Sequence, residues 1–139
     1  MYRIGYTAGA FDLFHIGHLN LLMRSKATCR HLIVGVTVDE LILETKKKPP
    51  FIPFTERMAI VEALKCVDEV IVQDDLDKVK AWYALRYNAL FSGDDWKGNP
   101  RWVNYERQLE EHGVPIVYFP YSVTTSSTSI QRLIQNSML

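Results

Sequence analysis

The residues predict an α/β fold: one doubly wound domain with a five-stranded parallel sheet and helices on both faces. Three observations carry this prediction. Strand-like and helix-like patterns alternate five times along the chain, the signature of βαβ units. The run His31 to Val38 contains Leu-Ile-Val-Gly-Val-Thr-Val, a near-continuous apolar strand that suits a parallel sheet covered on both sides. The chemically unusual segments fall at or just after the carboxyl ends of predicted strands, where open α/β sheets bind their ligands.

The elements follow in order. Ile4 to Thr7 is the first strand, and Ile16 to about Ala27 the first helix, with Leu19, Leu22 and Met23 as its inward stripe. His31 to Val38 is the second strand, with Asp39 and Glu40 at its end. Lys46-Lys47-Lys48-Pro49-Pro50 excludes a regular element and reads as a loop, either a solvated charge run or a basic flap over phosphates. Thr55 caps a second helix to about Lys65, with Met58, Val61 and Leu64 inward. Val67 to Val72 is the third strand and Asp74 to Asp77 a polar turn. Val79, Trp82, Tyr83 and Arg86 mark a third helix whose aromatics read as core. Ala89 to Ser92 is the fourth strand. Asn99 caps the next helix, Pro100 stands at its first position and Gly113 just past its end. Val114 to Phe119 is the fifth strand, ended by Pro120. Tyr121 to Ser126 is a polar loop, and Thr128 with Gln131 forms a capping box for a last helix carrying Ile130, Leu133 and Ile134.

Composition bounds the function. The 139 residues suffice for a single domain, 1–139, with one core, and 47% are hydrophobic against 23% charged. Sixteen basic and sixteen acidic side chains cancel, which argues against general nucleic-acid binding. No run reaches membrane-spanning length and no signal peptide precedes the first strand, so no membrane insertion and a cytoplasmic location are expected. Cys29 and Cys66 lack CxxC spacing and read as buried free thiols.

The most informative stretch is Gly9 to His18, Gly-Ala-Phe-Asp-Leu-Phe-His-Ile-Gly-His. It reads as strand, turn and helix start, a junction that presents backbone N–H groups and the positive end of a helix dipole. Gly9 permits a tight turn there, and Gly17 permits close approach of a ligand. His15 and His18, three apart, share a helix face. The pattern fits a triphosphate site better than zinc, for which the residue after the first histidine would be a carboxylate; here it is Ile16, and no metal ligands are assigned. The second cluster, Gly93-Asp94-Asp95-Trp96-Lys97-Gly98, is either a Gly-rich turn with a surface indole or part of the same site. Ser126, Ser127 and Thr128 supply hydroxyls at the last helix, and the lysines at 46 to 48 supply cations. Phosphoryl and nucleotidyl transfer rest on positioning and charge stabilisation, which such a set provides without a strong general base.

Phe11-Asp12-Leu13-Phe14-His15-Ile16-Gly17-His18 resembles the His-x-Gly-His signature of the cytidylyltransferase superfamily of nucleotidyltransferases. The resemblance extends over nearly the whole chain: Thr55-Glu56-Arg57, Val67 to Ile71, the Gly-Asp-Asp-Trp turn at 93–96 and the closing Ser126-Ser127-Thr128-x-Ile130 are similar to family segments. It is strongest to the small single-domain branch acting on glycerol 3-phosphate. It implies a Rossmann-like fold, usually a homodimer, and a reaction of CTP with an alcohol phosphate, with Mg²⁺, giving a CDP-alcohol for a surface polymer or lipid head group.

The resemblance assigns catalysis to His15, His18 and Lys46. It places Gly9, Ala10, Phe11, Asp12, Gly17, Lys48, Gly93, Asp94, Trp96, Ser126, Ser127 and Thr128 at the nucleotide, and Lys46, Lys47 and Arg57 at the second substrate. The chain has Ala10 where the family commonly has Thr, and Tyr121 where it commonly has Arg. An ATP-using adenylyltransferase and a nucleotide-binding module without turnover are the alternatives.

Overall fold

The computed structural model describes residues 1–120 and 127–137. Its strands are β1 (Tyr2–Gly9), β2 (Cys29–Thr37), β3 (Glu69–Gln73), β4 (Ala89–Gly93) and β5 (Ile116–Phe119). They form one all-parallel sheet in the order β3-β2-β1-β4-β5, so the predicted doubly wound Rossmann-like architecture is correct. The chain winds outward from β1 to β2 and β3, then returns to lay β4 on the other side of β1. Strand order therefore reverses between β1 and β4, and a crevice opens above their carboxyl ends, at Gly9 and Gly93.

The helices are α1 (Ile16–Thr28), α2 (Asp39–Lys46), α3 (Phe54–Glu62), α4 (Lys78–Leu85), α5 (Pro100–Glu110) and α6 (Ser127–Ser137). Strand residues alternate between two cores. On one face Tyr6, Ile33 and Leu90 pack with Trp82 of α4 and with Trp102, Tyr105 and Leu109 of α5. On the other, Leu32, Val34, Val36 and Phe91 pack with Leu22 of α1 and Val61 of α3. The central strand needs glycine at position 5, because a Cβ there would lie 2.2 Å from the Phe91 ring. Among the described residues no helix is long and apolar enough to cross a membrane.

Several expectations are corrected. α2 was not foreseen: Asp39 and Glu40 open a helix instead of merely ending a strand, in first-turn positions that suit the helix dipole. Lys46 is the last residue of that helix, so the basic loop starts at Lys47. Thr55 lies within the first turn of α3, whose N-cap is Pro53, and α3 ends at Glu62, three residues early. Thr128 likewise lies inside α6, which begins at Ser127, and so is not its cap. Of the α1 stripe only Leu22 is fully buried, and Met23 is exposed. Tyr83 and Leu133 are exposed too. Cys29 is buried as expected, Cys66 only half-buried, and both are free. The loop predicted at 121–126 lies outside the described residues.

Candidate active site

The crevice at the strand-order reversal is a cavity of about 640 Å³. The turn between β1 and α1 forms one wall. It contains two non-glycine residues in left-handed backbone, Phe11 (φ 52°) and Leu13 (φ 51°), each costing about 1–2 kcal/mol relative to ordinary backbone. The tight geometry predicted for Gly9 is thus supplied by Phe11 and Leu13, and Gly9 itself ends a regular strand.

Asp12, between the two left-handed residues, holds the turn. Its carboxylate accepts from the backbone N–H groups of Phe51 (2.9 Å) and Ile52 (2.9 Å). Arg57 of α3 makes the complementary tie. It is wholly buried and donates through Nε to the Ile52 carbonyl (2.8 Å), through one terminal nitrogen to the Ala10 carbonyl (2.6 Å), and through the other to Asp39 (2.6 Å). Asp12 and Arg57 clasp the β1–α1 turn to the segment following the lysines, tying both walls of the crevice together. Arg57 therefore does not reach the cavity. Contrary to the expected contact with the second substrate, its guanidinium is wholly buried, lies outside the cavity lining and makes three hydrogen bonds to protein, which suits a positioning role.

At the start of α1 the histidines form a reciprocal cap. His15 is the N-cap, and its Nδ1 accepts from the Gly17 N–H at 3.0 Å. His18 at the third helical position reaches back, its Nδ1 accepting from the His15 N–H at 3.2 Å. This is the logic of a Ser-x-x-Glu capping box executed by two imidazoles. It has a chemical consequence. With both Nδ1 atoms accepting, each neutral ring carries its proton on Nε2, so each presents one N–H donor. Burial, then the nearby His15 and Lys46 charges, push the His18 imidazolium down to about 4; burial lowers His15 as well. Near neutral pH the pair is uncharged and donor-ready. The rings lie 4.0 Å apart between centroids, and Phe11 backs His18 edge-on at 5.5 Å.

The cavity also receives Gly17, Lys46, Lys48, Gly93, Trp96 and Thr128 of the predicted set, together with Gly9, Ala10, Phe11 and Asp12. Gly17's N–H is committed to His15, so this glycine offers its backbone to the cap. A Cβ on Gly93 would lie 2.7 Å from an Asp95 carboxylate oxygen, so a larger residue where the Asp94–Trp96 turn folds back would displace the Asp95 side chain. That turn sends Asp95 into the cavity wall; Asp94 is not part of the lining. Lys47 is outside it as well, since it caps α2 in left-handed backbone (φ 63°). Ser126 lies outside the described residues, as does the side chain of Ser127. Among the described residues no group of three or more His, Cys, Asp or Glu side chains is placed to hold a metal ion.

Sequence reasoning missed Lys78, Arg101 and the polar floor. Thr37 and Gln73, both buried, meet at 2.6 Å across the ends of β2 and β3 and line the cavity with Ser92. Lys78, the first residue of α4, is a nearly buried cation facing the same space. Burial and the Arg101 charge push it down to about 8. Each reaches the site through tertiary packing, and none lies in a local motif.

Known proteins place this arrangement. A family model described as cytidylyltransferase-like matches residues 6–133. The chain is 34% identical over 127 residues to a glycerol-3-phosphate cytidylyltransferase of Bacillus spizizenii, covering 91% of this chain and 92% of that one. It is 40% identical over 97 residues to an ethanolamine-phosphate cytidylyltransferase of Arabidopsis thaliana, but spans only 22% of that protein and 65% of itself. Its fold matches the crystal structure of a lipopolysaccharide core biosynthesis protein from Thermoplasma volcanium with a TM-score of 0.72 at 23% identity, over 90% of this chain and all of that one. By its matched residues and its full-length relative, the chain belongs to the cytidylyltransferase-like family.

Proposed function

We propose that this enzyme transfers CMP from CTP to a small phosphorylated alcohol, glycerol 3-phosphate or a related polyol phosphate. The observation that carries the nucleotidyl-transfer reading is the reciprocal histidine cap, which leaves two neutral Nε2–H donors side by side at the strand-order reversal. The choice of CTP and of a phosphorylated alcohol is supported by the relative that matches along 92% of its length.

The chemistry follows from these groups. A phosphate oxygen of the acceptor attacks the α-phosphorus of CTP, the bond from that phosphorus to the α–β bridging oxygen breaks, and pyrophosphate leaves with that oxygen. The acceptor needs no base, since a phosphate monoester with its second pKa near 6 is largely dianionic at neutral pH. Charge rises on the α-phosphoryl and leaving oxygens, where His15 and His18 donate without having to be protonated first. Lys46 and Lys48 neutralise phosphate charge from the end of α2 and the loop after it, and Thr128 at the start of α6 adds a hydroxyl donor. Trp96 at the rim offers an aromatic face to the nucleoside. We take Mg²⁺ to arrive with the triphosphate, held mainly by phosphate oxygens as is usual for this ion; it would neutralise phosphate charge. The resemblance also supports a cytoplasmic homodimer supplying an activated alcohol for a surface polymer.

The test is a panel of nucleoside triphosphates against phosphorylated alcohols, read by pyrophosphate release. CTP with a polyol phosphate is expected to turn over fastest. A preference for ATP makes the enzyme an adenylyltransferase, and CTP binding without pyrophosphate from any pair makes it a binding module.

A further inference from the structure

We propose that Arg101 is a specificity-determining residue for the acceptor: with Lys78 it forms a two-cation seat that takes the acceptor's phosphate monoester as a dianion. This rests on the reading of the protein as a transferase acting on a phosphorylated alcohol.

Lys78 and Arg101 come from different helices, the first residue of α4 and the first turn of α5, and line the same cavity. Lys78 is 6% exposed. Its ammonium donates to the Leu76 carbonyl at 3.2 Å and lies 5.9 Å from the Trp102 ring centre, which leaves donor capacity toward the open space. The carboxylates near it are committed elsewhere. Asp77 caps α4, accepting from the N–H groups of Val79 and Lys80. Asp75 pairs with Lys80 at 2.9 Å. Among the described residues neither Lys78 nor Arg101 is in an ion pair. The other titratable groups around Lys78 are Tyr105 of α5, whose hydroxyl donates to the Leu76 carbonyl, and Tyr87, whose hydroxyl donates to the Lys78 carbonyl.

The backbone of Arg101 is set by local chemistry, since Asn99 accepts its main-chain N–H at 3.0 Å and Pro100 fixes the first helical residue, and its exposed side chain lines the cavity. Its charge is near enough to disfavour the Lys78 ammonium. A buried cation with a second cation nearby, no direct ion pair, and only the more distant charges of Asp77 and Asp75 to offset it is better satisfied once an anion enters. A −2 phosphate monoester satisfies both; a phosphodiester, with one charge, satisfies half.

The experiment uses the full chain. Calorimetry measures binding of inorganic phosphate and of glycerol 3-phosphate, and steady-state kinetics with saturating CTP give the acceptor KM. R101Q is expected to raise the Kd for both probes and the acceptor KM about 10- to 100-fold, the loss of one charge-assisted hydrogen bond. The KM for CTP should stay within threefold, and R101K should recover most of the binding. Acceptor kcat/KM should fall above about pH 8 as Lys78 deprotonates, and R101Q should move that limb to higher pH. A wild-type chain that binds neither probe, an R101Q chain that is folded by circular dichroism yet binds within twofold of wild type, or an equal rise in KM for CTP overturns the proposal. Arg101-dependent phosphate binding in a chain that releases no pyrophosphate with any nucleotide upholds the seat and removes the cytidylyl-transfer reading.

Discussion

Replacing His18 by Gln and by Ala separates its two jobs. The ring accepts the His15 N–H through Nδ1 and keeps Nε2–H for the cavity. Gln at this helical position can still accept that N–H, as in an ordinary capping box, whereas Ala cannot. The lost cap is worth about 1 kcal/mol, so His18→Ala should unfold at lower urea while His18→Gln stays within about 0.5 kcal/mol of wild type. Both should lower kcat by ~10²–10⁴, because a positioned donor to the transition state is gone.

The pH dependence supplies a third readout. The folded His18 value of about 4 lies below the ordinary 6.5, so between these pH values the unfolded chain binds more protons than the folded one. The stability due to the neutral ring is complete above about pH 6.5 and is lost as pH falls through the window to 4. At ~1.4 kcal/mol per unit this amounts to at most roughly 3 kcal/mol, less for the ring's partial exposure. Both variants should lose that part of the acid sensitivity. Equal stability loss in Gln and Ala, near-normal kcat, or an unchanged acid slope would each refute the reasoning.

Two further predictions concern the frame around the site. Arg57→Leu should cost about 3 kcal/mol or more in urea unfolding, since it orphans the Ala10 and Ile52 carbonyls and unpairs Asp39, and should slacken the histidine turn; a cost under about 1 kcal/mol would mean the clasp is unimportant. Lys47→Gly should stabilise the protein by up to ~1 kcal/mol by relieving the left-handed cap, with kinetics unchanged, whereas Lys46→Gln should raise substrate KM by roughly tenfold. The reverse ranking of the two lysine variants in kinetics would contradict their placement.

The sheet was legible because its strands carry short apolar runs separated by helix-like patterns, and the histidine turn because its residues are contiguous. What escaped depends on tertiary contacts or on very short elements. α2 has eight residues and no side-chain cap hydrogen bond, so its acidic first turn was the main local sign of it. Asp94 and Asp95 are adjacent, and only the single 3₁₀ turn at 94–96 decides which of them reaches the cavity. Arg57 reads from sequence as a charged residue near the site, while its complete burial follows from three acceptors, of which Ala10 lies 47 positions away. Lys78 and Arg101 stand in unremarkable helix starts and line one cavity only because α4 and α5 cover the same face of the sheet. The histidine turn is local in sequence, whereas the residues that hold the walls, and the pair proposed to meet the acceptor's phosphate, are assembled by the fold.

The most direct measurement is ³¹P NMR of the purified chain with CTP, Mg²⁺ and glycerol 3-phosphate. The account predicts that the CTP and monoester signals decline together as those of pyrophosphate and a CDP-alcohol diphosphate rise in equal amounts, and that this conversion drops by two or more orders of magnitude in His18→Gln. An unchanged spectrum from folded protein across a panel of polyol phosphates, or undiminished conversion by that variant, would contradict it.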